Sequence, residues 1–258
     1  MGRIEDVDVT ALADRIFKAR RAGQLLPPLT DEVNLDLETA YAIQFALLSR
    51  RIDDGERQVG WKIGYTSVAM REQMGIDKPN FGPLTDKMLA RSGDDLPVGV
   101  VHPKVEPEVL VVIGAEITPG MDLDAIRAAC REVRTALEVV DPVWEAYRFR
   151  VEDNTADGSS AAHAVLGPSI PSDAPLDSLP VAICVDGEEL HRATTAAVMG
   201  HPLEAVRWLS GALHERRRQL QVGDLVLTGG LTPAVDLPSG STVTARFASD
   251  LEVAVHRA

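Results

Sequence analysis

The chain is poor in several things, and each shortage excludes something. It has two cysteines in 258 residues, Cys130 and Cys184, with no CxxC spacing. A disulfide framework or a thiolate metal site is therefore not expected, and a reducing compartment, the cytoplasm, is. No apolar run approaches the length needed to span a bilayer, so no membrane partner is expected. Positive charge is also short: 26 Lys and Arg against 39 Asp and Glu give a net charge of −13. Nucleic acid and anionic lipid are poor partners for such a surface. GxSxG, Walker A, GxGxxG and HExxH are all missing, and the six histidines show no ligand spacing.

What is present is an unusual strand. Val105-Glu106-Pro107-Glu108-Val109-Leu110-Val111-Val112-Ile113 is β-branched and apolar except for two glutamates at i and i+2. On a strand those positions share a face, so both carboxylates point toward the side continued by Leu110 and Val112. Two like charges beside a core repel and are poorly solvated. Such a pair is either a solvated face balanced by Lys or Arg, or part of a cation site. Glu138 has a similar setting in Ala136-Leu137-Glu138-Val139-Val140. Three acids on apolar strands are candidate ligands for Mg²⁺ or Mn²⁺, which prefer carboxylate oxygen.

Lys62 is flanked by Trp61 and Ile63, with Gly60 and Gly64 beyond them. It reads either as a snorkelling strand lysine or as a desolvated ammonium that donates a proton or anchors a substrate. Asp153 to Ser160 is polar and turn-rich and reads as a surface loop of the kind that also carries binding residues. Thr228-Gly229-Gly230 follows a strand and offers amides to an anion. His201 reads as a helix-entry residue before Pro202.

Periodicity predicts helices over 8–23, 36–53, 67–74, 123–134 and one opening at Pro202. Strands are predicted at 59–65, 87–90, 105–113, 136–140, 224–227, 242–247 and 251–255. A hairpin turning at Asp186-Gly187 spans 180–191, and a loop spans 75–83. The pattern is an α+β architecture, with a helical N-terminal region over 1–58 and a strand-rich domain over 59–258.

The ordered set Gly60-Trp61-Lys62-Ile63-Gly64-Tyr65-Thr66-Ser67, Pro79-Asn80-Phe81-Gly82, His102-Pro103-Lys104-Val105-Glu106-Pro107-Glu108, Leu137-Glu138-Val139-Val140-Asp141, Asp153-Asn154, Gly200-His201-Pro202 and Leu227-Thr228-Gly229-Gly230-Leu231 resembles the 2-keto-4-pentenoate (2-hydroxypentadienoate) hydratase and 4-oxalocrotonate decarboxylase family of the fumarylacetoacetase-like superfamily. The resemblance implies a mixed-β fumarylacetoacetase-like fold behind the N-terminal helices, a homo-oligomer, and Mg²⁺ or Mn²⁺ on Glu106, Glu108 and Glu138. It implies a small 2-oxo or 2-hydroxy-dienoic acid as substrate, hydrated or, in the alternative, decarboxylated; a metal-binding but silent partner subunit is a third possibility. It makes Lys62 and Asn80 the candidate catalytic residues. Thr66, Ser67, Phe81, Asp153, Ser160, Thr228 and Gly229 are the candidate substrate contacts. Three departures stand out: Asn80 where hydratases commonly have Asp, Asp141-Pro142-Val143 in place of Asp-Ser-Arg, and Asp153-Asn154-Thr155-Ala156 in place of Asp-Asn-Ala-Ser.

Overall fold

A computed structural model describes residues 7–67, 71, 76–97, 99–248 and 250–258. Helix α1 (Val9–Ala22) opens on Asp8, whose carboxylate accepts the Ala11 N–H at 3.0 Å. It closes on Gly23 in the left-handed conformation. Helix α2 (Leu37–Asp53) is capped in the same way by Asp36 on Thr39 N. Both helices bury one stripe, Ala13, Ile16 and Ala19 from α1 and Ala40, Ile43 and Leu47 from α2. The stripes pack with Trp144 and with Ala156 of helix α4 (Val151–Ala156). The predicted short helix at 67–74 falls mostly outside the described residues.

The main sheet has the order β2 (Asn80–Thr85), β1 (Gln58–Gly64), β9 (Leu225–Leu227), β4 (Lys104–Ile113), β5 (Cys130–Val140), β6 (Ala161–Ser169), β3 (Leu89–Arg91), and β10 (Val235–Asp236) pairs with β4. A second sheet runs β12 (Leu251–His256), β11 (Thr242–Phe247), β7 (Pro180–Val185), β8 (Glu188–Thr194). Helix α3 (Leu123–Ala129) precedes β5. Helix α5 (Pro202–Glu215) is capped by His201, whose Nδ1 accepts Leu203 N at 3.0 Å.

Strand β4 is central and buried on both faces from Pro107 to Ile113, which is why its apolar residues run without alternation. Val105, Val109, Val111 and Ile113 join the large core. Leu110 and Val112 join a smaller cluster with Leu84, Ala136 and Leu227 on the other face, the face of Glu106 and Glu108. Pro107 costs no β4–β5 bond. Its carbonyl accepts Leu231 N at 2.9 Å, so its N atom faces the same loop.

Three sequence expectations need correction. The helix expected over 123–134 ends at Ala129, and β5 begins at Cys130. Ile126, Ala129 and Val133 satisfy a helical period, but Val133, Thr135 and Leu137 equally satisfy a strand, and the ladder to β4 decides it. The loop expected at 75–83 becomes edge strand β2 from Asn80 onward. Pro83 is tolerated on an edge, and Gly82 marks a close approach rather than a turn: a Cβ there would stand 2.0 Å from the Gly158 carbonyl. The polar segment 153–160 is not a surface loop but is buried throughout.

Gly82→Ala must push β2 and the 157–160 turn apart. Urea denaturation should show a loss of about 1–3 kcal/mol, the usual cost of overpacking; an unchanged midpoint would remove this contact as a constraint on the fold.

Candidate active site

The register of β4 and β5 sets Glu106 directly opposite Glu138. Glu108, two residues along β4, lies on the same face. Carboxylate oxygens of all three lie within 4.8 Å of one another. Glu108 and Glu138 are 0% and 1% exposed, so water does not screen them. Lys62 approaches from β1, which β9 joins to β4. Its Nζ is 3.0 Å from Glu138 Oε1 and 2.9 Å from the Ser159 carbonyl, with Ser159 Oγ at 3.2 Å.

One ammonium faces three carboxylates, and the protonation equilibria follow. Burial pushes Glu106 up to about 7, reinforced by repulsion from Glu138 and opposed by Lys62. Burial and the charge of Glu138 likewise hold Glu108 well above the ordinary carboxylate range. Burial raises Glu138 too, against the attraction of Lys62. Burial alone would lower Lys62, but Glu138, Glu108 and Glu106 outweigh it, and the ammonium stays charged.

The cluster fits a hard divalent cation. Glu108 Oε1 and Glu138 Oε2 are buried without a hydrogen-bond partner, an arrangement that is costly unless a cation takes it up. Glu108 Oε2 is held by the Gly229 N–H at 2.8 Å. Gly229 has φ of +117°, and a Cβ on it would meet Thr66 Oγ1 at 2.0 Å, so glycine is needed to deliver that amide.

In front of Glu106 and Lys62 opens a cavity of about 260 Å³. Of the residues singled out from sequence, Lys62, Thr66, Ser67, Glu106 and Ser160 line it. Five others do not. Phe81 is fully buried in an aromatic cluster, 4.7 Å from the Tyr41 ring and 5.5 Å from Trp61. Asp153 accepts Thr30 N and Arg150 N at the start of α4. Thr228 donates to the Val109 carbonyl, and Gly229 serves Glu108 from behind. Asn80 is buried, donating to Asn154 Oδ1 and Thr155 Oγ1 at 3.0 Å and accepting from Ser159 Oγ at 2.9 Å.

The lining also includes residues that sequence reasoning did not single out: Tyr65, Lys104, Tyr147, Phe149, Asn154 and Ser159. Tyr65, Lys104 and Asn154 sit inside motifs that were visible. Tyr147 and Phe149 carry no such signal. A backbone signature does mark the site: Tyr65, Tyr147, Ser159 and Ser160 all line the cavity with φ between 55° and 59°, a conformation that is strained for non-glycine residues and clusters at functional sites.

Residues 63–255 match the fumarylacetoacetate (FAA) hydrolase C-terminal family. The chain belongs to that family. It is 36% identical over 249 residues to a 2-keto-4-pentenoate hydratase of Burkholderia vietnamiensis (strain G4 / LMG 22486), covering 94% of this chain and 95% of the relative. It is 32% identical over 244 residues to a 4-oxalocrotonate decarboxylase of Pseudomonas putida, covering 93% and 92%. The solved 4-oxalocrotonate decarboxylase from Pseudomonas putida G7, complexed with magnesium and adipate, superposes with a TM-score of 0.93 at 30% identity over 97% of each chain.

Three outcomes test the carboxylate cluster. A cation must displace the proton from Glu106, so Mg²⁺ or Mn²⁺ affinity measured by calorimetry should fall as pH drops below about 7. Glu106→Gln, Glu108→Gln or Glu138→Gln should each weaken that binding, and unchanged affinity in all three would remove the site. In the metal-free protein the sign runs the other way. Glu106 is raised from 4.5 to about 7 on folding, so its contribution to stability is whole below 4.5 and is lost as pH rises through about 7. Thermal unfolding with a chelator present should show that loss.

Proposed function

We propose that the chain is a divalent-metal-dependent lyase that adds water to a 2-hydroxy-2,4-dienoate to give a 4-hydroxy-2-oxo acid. The observation that carries this reading is the cluster of Glu106, Glu108, Glu138 and Lys62, of which Glu106 and Lys62 line the cavity. Mg²⁺ or Mn²⁺ on the three glutamates would act as a Lewis acid toward a 2-oxo acid and ease the build-up of negative charge on its 2-oxygen.

The chain's own groups supply the rest. Lys62 is held protonated by its carboxylate neighbours, so it acts as a proton donor or an anion anchor rather than as a base. The dienol ketonises by gaining a proton at C5; water then adds its oxygen to C4 and a proton to C3, and the atoms balance as substrate plus one water. Thr66, Ser67 and Ser160 are proposed to hydrogen-bond the substrate from the cavity wall. Asn80 acts through another residue: its amide orients Ser159 Oγ, which faces Lys62 Nζ. We place Asn80, Asp153, Phe81, Thr228 and Gly229 as positioning residues. Assembly into a homo-oligomer and a cytoplasmic location belong to the same proposal and rest on the family resemblance.

Decarboxylation of a 2-oxo-hexenedioate is the second reading, and Lys104 favours it. Its ammonium lines the cavity, 5.3 Å from the Tyr147 ring centroid and 2.5 Å from Asp236, where it can meet a second carboxylate. Asn80 leaves hydration without the carboxylate base expected there, since an amide takes no proton.

Incubation with Mg²⁺ and either 2-hydroxypenta-2,4-dienoate or 4-oxalocrotonate, followed by NMR, separates the readings. Formation of 4-hydroxy-2-oxopentanoate is expected; CO₂ release from the second substrate with no hydration of the first would replace hydration by decarboxylation. Lys62→Met should cut turnover by at least about 10²-fold, the lower range for removing a general acid. Near-normal turnover in that variant would reduce Lys62 to a packing residue.

A further inference from the structure

Strand β1 gives Trp61 and Ile63 to the large core and Lys62 to the glutamates. Alternation would send Tyr65 after Ile63 into that core. It does not go there. At the end of the strand Tyr65 takes a φ of +58° and lines the cavity instead, with Lys62 and Glu106. That backbone is strained for a residue with a side chain, and it persists only where the surroundings hold it. Arg71 does so, because its Nη1 donates to the Tyr65 carbonyl at 2.7 Å and to the Thr66 carbonyl at 3.0 Å.

Much of the hydrogen-bonding capacity around Tyr65 is already spent. Lys62 Nζ gives its three protons to Glu138 Oε1, the Ser159 carbonyl and Ser159 Oγ, and must release one to reach a substrate. Ser159 Oγ donates to Asn80 Oδ1, and Asn154 Nδ2 donates to Ser160 Oγ. The Tyr147 hydroxyl donates to the His102 carbonyl at 2.8 Å, and Lys104 is paired with Asp236. The Tyr65 hydroxyl differs. Among the described residues it has no hydrogen-bond partner, and it is not closed to solvent. Burial, reinforced by the charges of Asp157 and Glu106, pushes its pKa upward, so it stays a neutral phenol with a proton to donate. The same effect puts the phenol within electrostatic reach of Glu106.

We propose that Tyr65 is a further catalytic residue, whose hydroxyl donates a hydrogen bond to the 2-oxygen of the substrate and stabilises the negative charge that builds there. The inference rests on the reading of the three glutamates as a cation site for a 2-oxo or 2-hydroxy-dienoic acid. It holds whether water adds or carbon dioxide leaves, because both reactions send charge to that oxygen. The proton stays on the phenol throughout. A fixed donor of this kind acts mainly on the transition state, where the oxygen carries more charge than in the bound substrate.

Tyr65→Phe deletes only a hydroxyl that has no partner in the protein. Its urea midpoint and its Mg²⁺ affinity by calorimetry should match wild type. Turnover of the acid that wild type uses should fall about 10²-fold, the lower end for loss of one oxyanion donor, with KM moving less than about threefold. Binding to the Mg²⁺-loaded chain separates this role from a packing one. Oxalate offers an anionic oxygen where the enolate oxygen would lie, and pyruvate offers a neutral ketone. In Tyr65→Phe oxalate should bind at least about tenfold, or 1.4 kcal/mol, more weakly, and pyruvate should weaken less than about threefold. Unchanged oxalate affinity, or equal weakening of oxalate and pyruvate, would overturn the proposal. A fall in Mg²⁺ affinity would do the same by moving the hydroxyl's effect to the cation. So would a much larger loss of turnover in Tyr65→Leu than in Tyr65→Phe, which would assign the effect to the ring. Failure of wild type itself to bind Mg²⁺ would bring down the cation site, and this inference with it.

Discussion

Three carboxylates and one ammonium, shut away from water, are the constraint around which the site is built. Glu108 and Glu138 are almost wholly inaccessible, and Lys62 is 4% exposed. Buried charge of this kind is tolerated only when it is paired, protonated or bound to a cation. Lys62 offsets one carboxylate and Gly229 supplies an amide to another. What is left over is negative, directional and oxygen-rich, and that residue of unsatisfied charge is the chemical character of the site. A well-compensated cluster would be more stable and would have no use for a divalent ion.

Holding such a cluster demands stiff surroundings, and the 157–160 turn provides them. Asp157 is anchored by Arg20, by Val143 N and by Ser160 N. Ser159 and Ser160 are thereby kept in left-handed backbone conformations, with Ser159 presenting both its carbonyl and its hydroxyl to Lys62. Asn80 and Asn154 close the network from β2 and α4. Every member is polar and nearly every polar atom is satisfied, which is what allows so much hydrophilic side chain inside the molecule. Both N-terminal helices contribute: Arg20 of α1 holds the turn, and Gln44 of α2 donates to the Phe81 and Thr155 carbonyls of β2 and α4 at 2.8 and 2.7 Å.

A good part of this was legible in the chain. Glu106, Glu108 and Glu138 stand out because acids on β-branched runs violate the local pattern, and Lys62 stands out between Trp61 and Ile63 for the same reason. Helix ends at Asp8, Asp36 and His201 carry their own capping chemistry. Other features were misread in the sequence because one local pattern served two purposes. Residues 126–133 fit a helix and a strand equally until β4 supplied a partner. Asp153 to Ser160 has the composition of a loop, and only the partners waiting for each side chain make it an interior element.

Sequence alone determined the α+β character, the anomalous setting of the strand acids and the family, because these rest on residue type, local period and ordered motifs. Tertiary structure alone decided that Glu138 faces Glu106 across a strand pair, that Phe81 and Asp153 turn away from the cavity, and that Tyr147, Lys104 and Ser159 turn toward it. The reason is physical. Periodicity assigns a residue to a face of its own element, but which faces meet depends on strand order and register, and those are set by contacts between segments far apart in the chain.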